Sequence, residues 1–304
     1  MNRIARIRIT AADVEGLAAF YAEALGFERR GTGRVLTLDL GREIVELEAS
    51  AAAGTPYPRG SSSNDPWFQH FAIVVSDMAA ARARLGSCGG WTPITGPAPQ
   101  RLPASSGGVT AFKFRDPEGH PLELLEFPVG GVPVAWRGVC GGGPCLGIDH
   151  SAIVVADTGR SVDFYGRLGF SVAGRSLNRG PEQECLDGLP GAVVEVTALA
   201  GRGPDPPHLE LLRYRSPVSA STVPPTSAAS PTSPQGLPPR PAPGDIAATW
   251  LHIEVDDLAA TLAQLRGDGV ECPESRPAMH LPFPSAAAHD PDGHLLRLLA
   301  SRAD

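Results

Sequence analysis

The sequence predicts an α+β fold made of four copies of one β-α-β-β-β module. Three features support this prediction. An opening strand followed by an acidic helix cap recurs four times, a closing apolar strand recurs four times, and strand-like runs such as VLTLDL and AVVEVTAL lie between them. Such self-similarity is typical of folds built by repetition. The 304 residues are enough for two domains with a substantial core in each.

The opening strand and helix are clearest in the stretch from Gly147 to Phe170, GIDHSAIVVADTGRSVDFYGRLGF. It contains a strand with His150, a helix cap at Asp157, a short amphipathic helix and a Leu-Gly-Phe exit. Aspartate at a helix start accepts hydrogen bonds from free backbone amides and suits the positive end of the helix dipole. Aligning the caps Asp13, Asp77, Asp157 and Asp257 places Arg6, His70, His150 and Trp250 at one equivalent position, seven residues before each cap.

Each module closes with a second recurring strand, found in GREIVELEAS, PLELLEF, HLELLRY and HLLRLLA. Two of these strands follow matching turns, RDPEGHPLELL and HDPDGHLLRLL, in which Asp, Pro and Gly occupy typical tight-turn positions. We expect the turn histidines, His120 and His294, to be exposed.

Two stretches divide the modules along the chain. The Gly-rich linker from Val129 to Cys145 separates modules 2 and 3, which predicts a first domain at 1–128 and a second at 146–304. A Pro/Ser-rich insert at about 215–243 lies between modules 3 and 4, and we expect it to be a disordered tether or a long excursion.

Composition narrows the class of protein. A formal net charge of −7 argues against nucleic acid or an anionic membrane as the main partner, because both call for clustered Lys and Arg. Five scattered cysteines do not suggest a disulfide framework. No apolar run is long enough for a membrane span, and the N-terminal sequence lacks a signal-peptide core, so we expect a cytoplasmic protein.

Strand periodicity predicts one polar, inward-facing surface. Alternate residues of a strand point to opposite faces, so the residues at the four opening positions point away from the apolar set beneath the helices. The equivalent residues of the closing strands are Glu46, Glu123, Glu210 and Arg297. Histidine and glutamate on one inward face, between apolar walls, suggest metal ligands because buried charges are costly unless paired or coordinated.

These features resemble the vicinal oxygen chelate superfamily, which includes glyoxalase I, bleomycin-resistance proteins and extradiol dioxygenases. The resemblance rests on the fourfold module, the H-x-A-I-V-V-x-D openings at His70 and His150, and the closings DPEGHPLEL and DPDGHLLRL. It covers nearly the whole chain except the insert. It implies that modules pair into two curved mixed-sheet domains, modules 1 and 2 in the first and modules 3 and 4 in the second. A divalent metal would lie inside, held by first and last strands.

Carried over by position, the resemblance implies two candidate metal sites. The second half offers His150 and Glu210, with His252 as a third ligand two residues beyond the usual place. The first half offers His70, Glu123 and Glu46, beside Arg6, which stays a cation and cannot ligate. Histidine and carboxylate ligands suit iron, manganese, zinc or nickel without distinguishing them. The alternative is a metal-free polar core in which Arg297 pairs with Glu210.

Other residues are candidates for catalysis or substrate binding. Glu210 is the candidate proton-transfer residue beside the metal. The polar segment SLNRGPEQECLDG supplies Glu184 as a second candidate base and Asn178 as a substrate ligand, with a solvated loop as the alternative. Arg297 and Trp250 complete the set as candidate substrate-binding residues of the second half.

The leading functional prediction is a metal-dependent enzyme of the glyoxalase/dioxygenase type that chelates adjacent oxygens of a small oxygen-rich molecule. Proton transfer α to a carbonyl, a lyase or isomerase reaction, is favoured because Arg297 stands where an extradiol dioxygenase would have a carboxylate. The alternatives are a ferrous extradiol-type dioxygenase and a metal-free sequestering protein of the bleomycin-resistance type. With four modules in one chain, a monomer suffices to complete the pockets, although a homodimer is also compatible.

Overall fold

The computed structural model describes residues 2–50, 54–203, 205–217, 241–273 and 284–301. Module 1 contains β1 (Arg3–Ala11), α1 (Val14–Phe20, continued by a π-helical turn at Tyr21–Leu25), β2 (Glu28–Arg30), β3 (Val35–Leu40) and β4 (Glu43–Ala49). Module 2 contains β5 (Gln69–Val75), α2 (Met78–Gly86), β6 (Thr92–Pro93), β7 (Gln100–Arg101), β8 (Thr110–Arg115) and β9 (Pro121–Glu126).

The second half repeats the pattern. Module 3 contains β10 (Cys145–Val154), α3 (Thr158–Arg167), β11 (Ser171–Arg179), α4 (Pro181–Asp187), β12 (Val193–Ala200) and β13 (His208–Ser216). Module 4 contains β14 (Thr249–Val255), α5 (Leu258–Gly267), β15 (Ser285–His289) and β16 (Leu295–Ala300). Most of the predicted insert at 215–243 lies outside the described residues. The predicted α+β fold of four modules is confirmed.

All four predicted helix caps are confirmed. The side chains of Asp13, Asp77, Asp157 and Asp257 accept hydrogen bonds from the backbone amides of Gly16, Ala80, Arg160 and Ala260, at 2.9–3.0 Å. Each aspartate therefore fixes where its helix leaves the opening strand, and with it the position of the residue seven places earlier on that strand.

Among the described residues, the strands form two mixed sheets. The seven-stranded sheet has the order β15-β16-β14-β1-β4-β3-β2, and the nine-stranded sheet has the order β11-β12-β13-β10-β5-β9-β8-β6, with β7 on β8. In each sheet two opening strands pair antiparallel at the centre, and each is flanked by the parallel closing strand of its own module.

The predicted pairing of modules 1 with 2 and 3 with 4 is wrong. Modules 1 and 4 share the seven-stranded sheet, and modules 2 and 3 share the nine-stranded sheet. The physical reason lies in the repeat itself. Every module exposes the same unpaired edge on its opening strand, so the repeat requires a partner strand without specifying which one.

Each half of the chain is held together by its closing turns instead. The phenol of Tyr21, in module 1, donates to Asp116 in the turn of module 2 at 3.0 Å, and Tyr165 donates to Asp290 in the same way. The turn histidines are buried, contrary to our expectation. His120 Nε2 lies 3.1 Å from the Thr10 carbonyl, and His294 Nε2 lies 2.7 Å from that of Val154. These turns tie each half across both sheets.

One apolar cluster lies between helices and sheets and includes residues from all four opening strands, among them Ile7, Phe71, Ile153 and Ile253. All five cysteines are free. Within the described part of the chain, none of the helices is both long and apolar enough to cross a membrane.

Candidate metal centre

Four ligand-type side chains meet on one face of the nine-stranded sheet. His70 on β5 lies opposite Ala152 on β10, and His150 on β10 lies opposite Ala72 on β5. The parallel closing strands place Glu123 beside Ala72 and Glu210 beside Ala152. Residues that face each other across a ladder point to the same side of a sheet. Each glutamate therefore lies near its own module's histidine, and two small alanines form the floor between the pairs.

Donor atoms of three of these residues are close enough to share one ion, and Glu210 lies beside His150. His70 Nε2 lies 2.9 Å from Glu123 Oε2, and His150 Nε2 lies 3.6 Å from Glu210 Oε2. One ligand atom from each of His70, Glu123 and His150 lies within 4.8 Å of the others, and the two imidazole centroids are 5.9 Å apart. We refer to His70, Glu123, His150 and Glu210 as the ligand ring.

His70 provides a test of whether a metal fits. Its ring is 2% exposed, and among the described residues neither ring nitrogen makes a hydrogen bond of acceptable geometry, although Nε2 is near the Glu123 carboxylate. Buried polar atoms are normally satisfied. His70 Nε2 and Glu123 Oε2 lie close together, but their geometry does not suit a hydrogen bond. Two ligand atoms that bind the same cation are expected to be arranged in this way. The residues present therefore fit a divalent ion, and two imidazoles with two carboxylates suit a first-row transition metal.

The ring is charged asymmetrically. Burial and the nearby Lys113 lower the pKa of His70, which favours the neutral form that ligates metal. Burial also acts to lower the pKa of His150, but the Glu210 and Asp149 carboxylates outweigh it and raise this pKa to about 9. Burial acts to raise the pKa of Glu210, but His150 and His208 outweigh it and lower this pKa to about 2. In the absence of metal, His150 and the half-buried Glu210 therefore form an ion pair.

Asp149 orients His150 from behind. Its Oδ2 lies 3.1 Å from His150 Nδ1, and its Oδ1 accepts a hydrogen bond from the indole of Trp136 at 2.7 Å. A carboxylate on one imidazole nitrogen fixes the tautomer and directs the other nitrogen toward the ion. Trp136 belongs to the linker between the halves, so this linker supports the site. Sequence periodicity missed Asp149 because strand alternation places the neighbour of His150 on the opposite face.

We predict that Asp149→Ala lowers metal affinity about 10- to 100-fold, as is typical when an outer carboxylate is lost from a ligating histidine. The fold should be retained, because Trp136 loses only a hydrogen bond. Competition of the full-length variant and the natural protein for Zn²⁺ against a chelating dye measures the change. Unchanged affinity would contradict the role assigned to Asp149.

A second buried network lies beside Glu123. Lys113 on β8 donates to Asp187 Oδ1 at 2.7 Å, and its Nζ is 3.9 Å from Glu123 Oε2. The other oxygen of Asp187 accepts from Gln183 at 2.8 Å and from the phenol of Tyr214 at 3.0 Å. Glu123 is thereby held from two sides. Among the described residues, Glu210 has histidines 150 and 208 within salt-bridge distance, and its side chain is 21% exposed.

The ligand ring opens into a cavity of about 760 Å³. A volume of this size suits a small organic ligand. The lining combines ring residues and Lys113 with apolar side chains from β11, β12 and the linker, including Trp136. A substrate in this cavity would therefore touch the ring at one end and mostly apolar surface elsewhere.

Comparison with known proteins agrees with the geometry. The model of the Glyoxalase/Bleomycin resistance protein/Dioxygenase superfamily matches residues 3–124 and 147–298. The chain belongs to this superfamily. The described structure is similar to glyoxalase I from Zea mays, with a TM-score of 0.60 at 16% identity over 99% of this chain and 92% of that one. It is also similar to a proposed dioxygenase from Bacillus subtilis, with a TM-score of 0.57 at 15% identity over 99% and 86%. At such identities the likeness shows the fold. No curated protein sequence matches.

Within this superfamily fold, the structure regroups the predicted ligands. His252 and Glu46 were assigned to separate sites, but both lie in the seven-stranded sheet, where His252 Nδ1 is 3.7 Å from Glu46 Oε2. His252 therefore does not join His150 and Glu210, and Glu46 does not join His70. The two predicted partial sites become one ring, because each sheet takes one module from each half of the chain.

The predicted substrate residues are divided in the same way. Arg297 and Trp250 lie in the seven-stranded sheet, apart from the ligand ring. Asn178 lines the cavity. Glu184 belongs to α4, a helix that replaces the expected polar hairpin, and it is not among the residues that line the cavity, whereas its neighbour Gln183 is. Pro at the first helical position and a left-handed Gly188 after the last one explain this helix.

Proposed function

We propose that this chain is a metal-dependent enzyme of the glyoxalase type, which moves a proton at the carbon next to a carbonyl in a small substrate with two adjacent oxygens. The observation that carries the proposal is the convergence of two histidines and two glutamates at the head of one cavity. A divalent ion held by this ring would polarise the substrate oxygens and stabilise the negative charge that develops on them.

The residues of the chain then have separate tasks. His70, His150 and Glu123 hold their places through strand register, with Asp149 orienting His150 and Lys113 facing Glu123. Glu210 lines the cavity and its side chain is 21% exposed, against 7% for Glu123, so it is the residue we assign to accept the proton from carbon and return it. Its low pKa reflects the protonated His150 beside it, and that proton leaves when His150 becomes a ligand.

Ring composition also favours proton transfer over oxygen insertion. Non-haem iron oxygenases typically use two histidines and one carboxylate, whereas this ring supplies a second carboxylate, Glu210, that is available to move a proton. Arg297, the earlier reason for this preference, lies in the other sheet and does not bear on it.

The proposal is tested by proton exchange. We predict that the full chain loaded with Ni²⁺ or Zn²⁺ replaces the α-hydrogen of one or more members of a panel of α-hydroxycarbonyl compounds with deuterium in D₂O, seen as loss of the proton resonance. Glu210→Gln should slow this exchange about 10²- to 10⁴-fold, the usual contribution of a general base. Exchange that is equally fast in Glu210→Gln, or in metal-free protein, would contradict the proposal.

A further inference from the structure

The seven-stranded sheet carries different chemistry on its equivalent face. Arg8 lies opposite Trp250, and Arg6 lies opposite His252, across the central antiparallel pair. Arg297 lies opposite His252 on the parallel closing strand. At the positions of the two alanines of the ligand ring, this sheet has Arg8 and His252. We refer to Arg6, Arg8, Arg297 and Trp250 as the arginine cluster.

Charge on this face is not balanced within the described residues. Arg6 pairs with Glu46, and Arg8 pairs with Glu48. Arg297 has no carboxylate within salt-bridge distance among those residues, and its guanidinium makes one long hydrogen bond to the hydroxyl of Ser285 at 3.4 Å. Three guanidinium groups thus face two carboxylates. Half-buried or buried cations normally acquire an anionic partner, because removing a charge from water is costly.

Hydrogen-bond donors in the cluster are also unused. The Nε atoms of Arg6, Arg8 and Arg297, and Nε1 of Trp250, are buried without a hydrogen-bond partner among the described residues. Trp250 is 5% exposed and Arg8 is 7% exposed. A buried indole N–H usually finds an acceptor. Four unsatisfied donors on one face, against the single unsatisfied carboxylate oxygen of Glu46 among the described residues, indicate that a further acceptor group belongs there.

The geometry places two of the cations around one aromatic ring. The guanidinium carbons of Arg297 and Arg8 lie 5.3 Å and 6.0 Å from the Trp250 centroid. Burial and the charge of Arg297 together lower the pKa of Arg8 to about 10, which is consistent with two guanidinium groups that repel each other. An anion between them would replace this repulsion with two attractive contacts.

We infer that the arginine cluster binds a small oxyanion, a carboxylate or a phosphate, between Arg8 and Arg297 with the Trp250 indole as a further donor. Guanidinium groups present a planar fork of N–H donors that matches both anions, and their hydrogen bonds to charged oxygens are stronger than neutral ones. The inference does not depend on the metal proposal, because no member of the ligand ring takes part.

Thermal unfolding of the full-length protein tests the inference. Sodium phosphate and sodium malonate are titrated separately, with sodium chloride at matched ionic strength as the reference. We expect at least one of them to raise Tm with the logarithm of its concentration above Kd, by about 3–6 °C at a hundredfold excess. A response to phosphate alone identifies a phosphate ligand, and a response to malonate alone identifies a carboxylate. No rise beyond chloride for either anion would overturn the inference.

Variants locate the anion. Arg297→Gln should abolish the rise in Tm that exceeds the effect of chloride. Without added anion, this variant should unfold at the same or a higher temperature than the natural protein, because it removes an uncompensated cation. Trp250→Phe keeps the aromatic packing, loses the N–H and should weaken binding about 5- to 15-fold, the loss of one hydrogen bond to a charged group. Arg59→Gln, an exposed arginine elsewhere, is the charge-matched control and should bind as the natural protein does.

Two outcomes separate this role from a structural one. If Arg297→Gln does not fold, Arg297→Lys keeps the charge without the fork and should still weaken binding. Natural affinity in both Trp250→Phe and the folded Arg297 variant would overturn the inference. Metal content should stay unchanged in all these variants, so a failed metal proposal and a failed anion site would be seen independently.

Discussion

Replacing His150 with alanine is expected to lower the affinity of the whole chain for divalent metal by more than about 100-fold, beyond the effect of losing an outer-shell group. His70→Ala should have the same effect, although His70 lies in the other half of the sequence. The reason is the pairing of modules 2 and 3, which places both imidazoles in one ring with centroids 5.9 Å apart. Chelator competition with Zn²⁺ measures the loss.

His252→Ala is the matched control for these two variants. It also removes a buried histidine on an opening strand, but from the seven-stranded sheet, beside Glu46. Metal affinity should stay within about twofold of the natural protein. Loss of metal from only one of the His70 and His150 variants would mean that the two histidines do not share an ion. Loss in His252→Ala as well would favour a global effect on folding, which circular dichroism would reveal.

Asp187→Ala is expected to destabilise the fold by about 3–5 kcal/mol, because it leaves Lys113 buried without its main partner. Asp187 also accepts hydrogen bonds from Gln183 and Tyr214, and the variant would leave those donors unpaired. Thermal unfolding should show a fall in Tm of about 5–8 °C. We further expect weaker metal binding, since the freed ammonium can move toward Glu123 and compete for its carboxylate.

A double variant separates lost charge balance from lost volume. In Lys113→Met/Asp187→Leu neither buried charge remains, so most of the lost stability should return. Asp163→Ala, at an exposed position on α3, is the control and should change stability by less than about 0.5 kcal/mol. If the double variant were as unstable as Asp187→Ala alone, the unpaired lysine would not be the cause.

The sequence was sufficient for the modules, and all four ring residues are among the six candidate metal ligands that it offered. Helix caps and strand alternation depend on local chemistry, and Asp157, for example, fixes His150 on its strand whatever the partner strand is. Pairing depends instead on which opening strands meet. His70 and His150 lie in nearly identical sequences, HFAIVVSD and HSAIVVAD. These local sequences therefore do not show which opening strand pairs with which.

Supporting residues were harder to predict for related reasons. Asp149 acts from the residue next to a ligand, where alternation predicts the wrong face, and Trp136 reaches it from the linker between the halves. Lys113 and Asp187 are far apart in sequence and meet only after β8 and α4 are in place. Ala72 and Ala152 were visible in the sequence, as were Arg8 and His252 at the equivalent positions of the other sheet. The contrast between small and large residues was therefore an available signal for which sheet holds the metal ion.

Calorimetric titration of metal-free, full-length protein with Zn²⁺ or Ni²⁺ at pH 7, repeated in buffers of different ionisation enthalpy, tests the central claim most directly. The shared ring predicts one ion per chain. It also predicts release of about one proton, because His150, with a pKa near 9 in the metal-free state, must lose its proton to ligate. Two ions per chain, one for each half of the sequence, or no stoichiometric ion at all, would contradict a single centre built by modules 2 and 3.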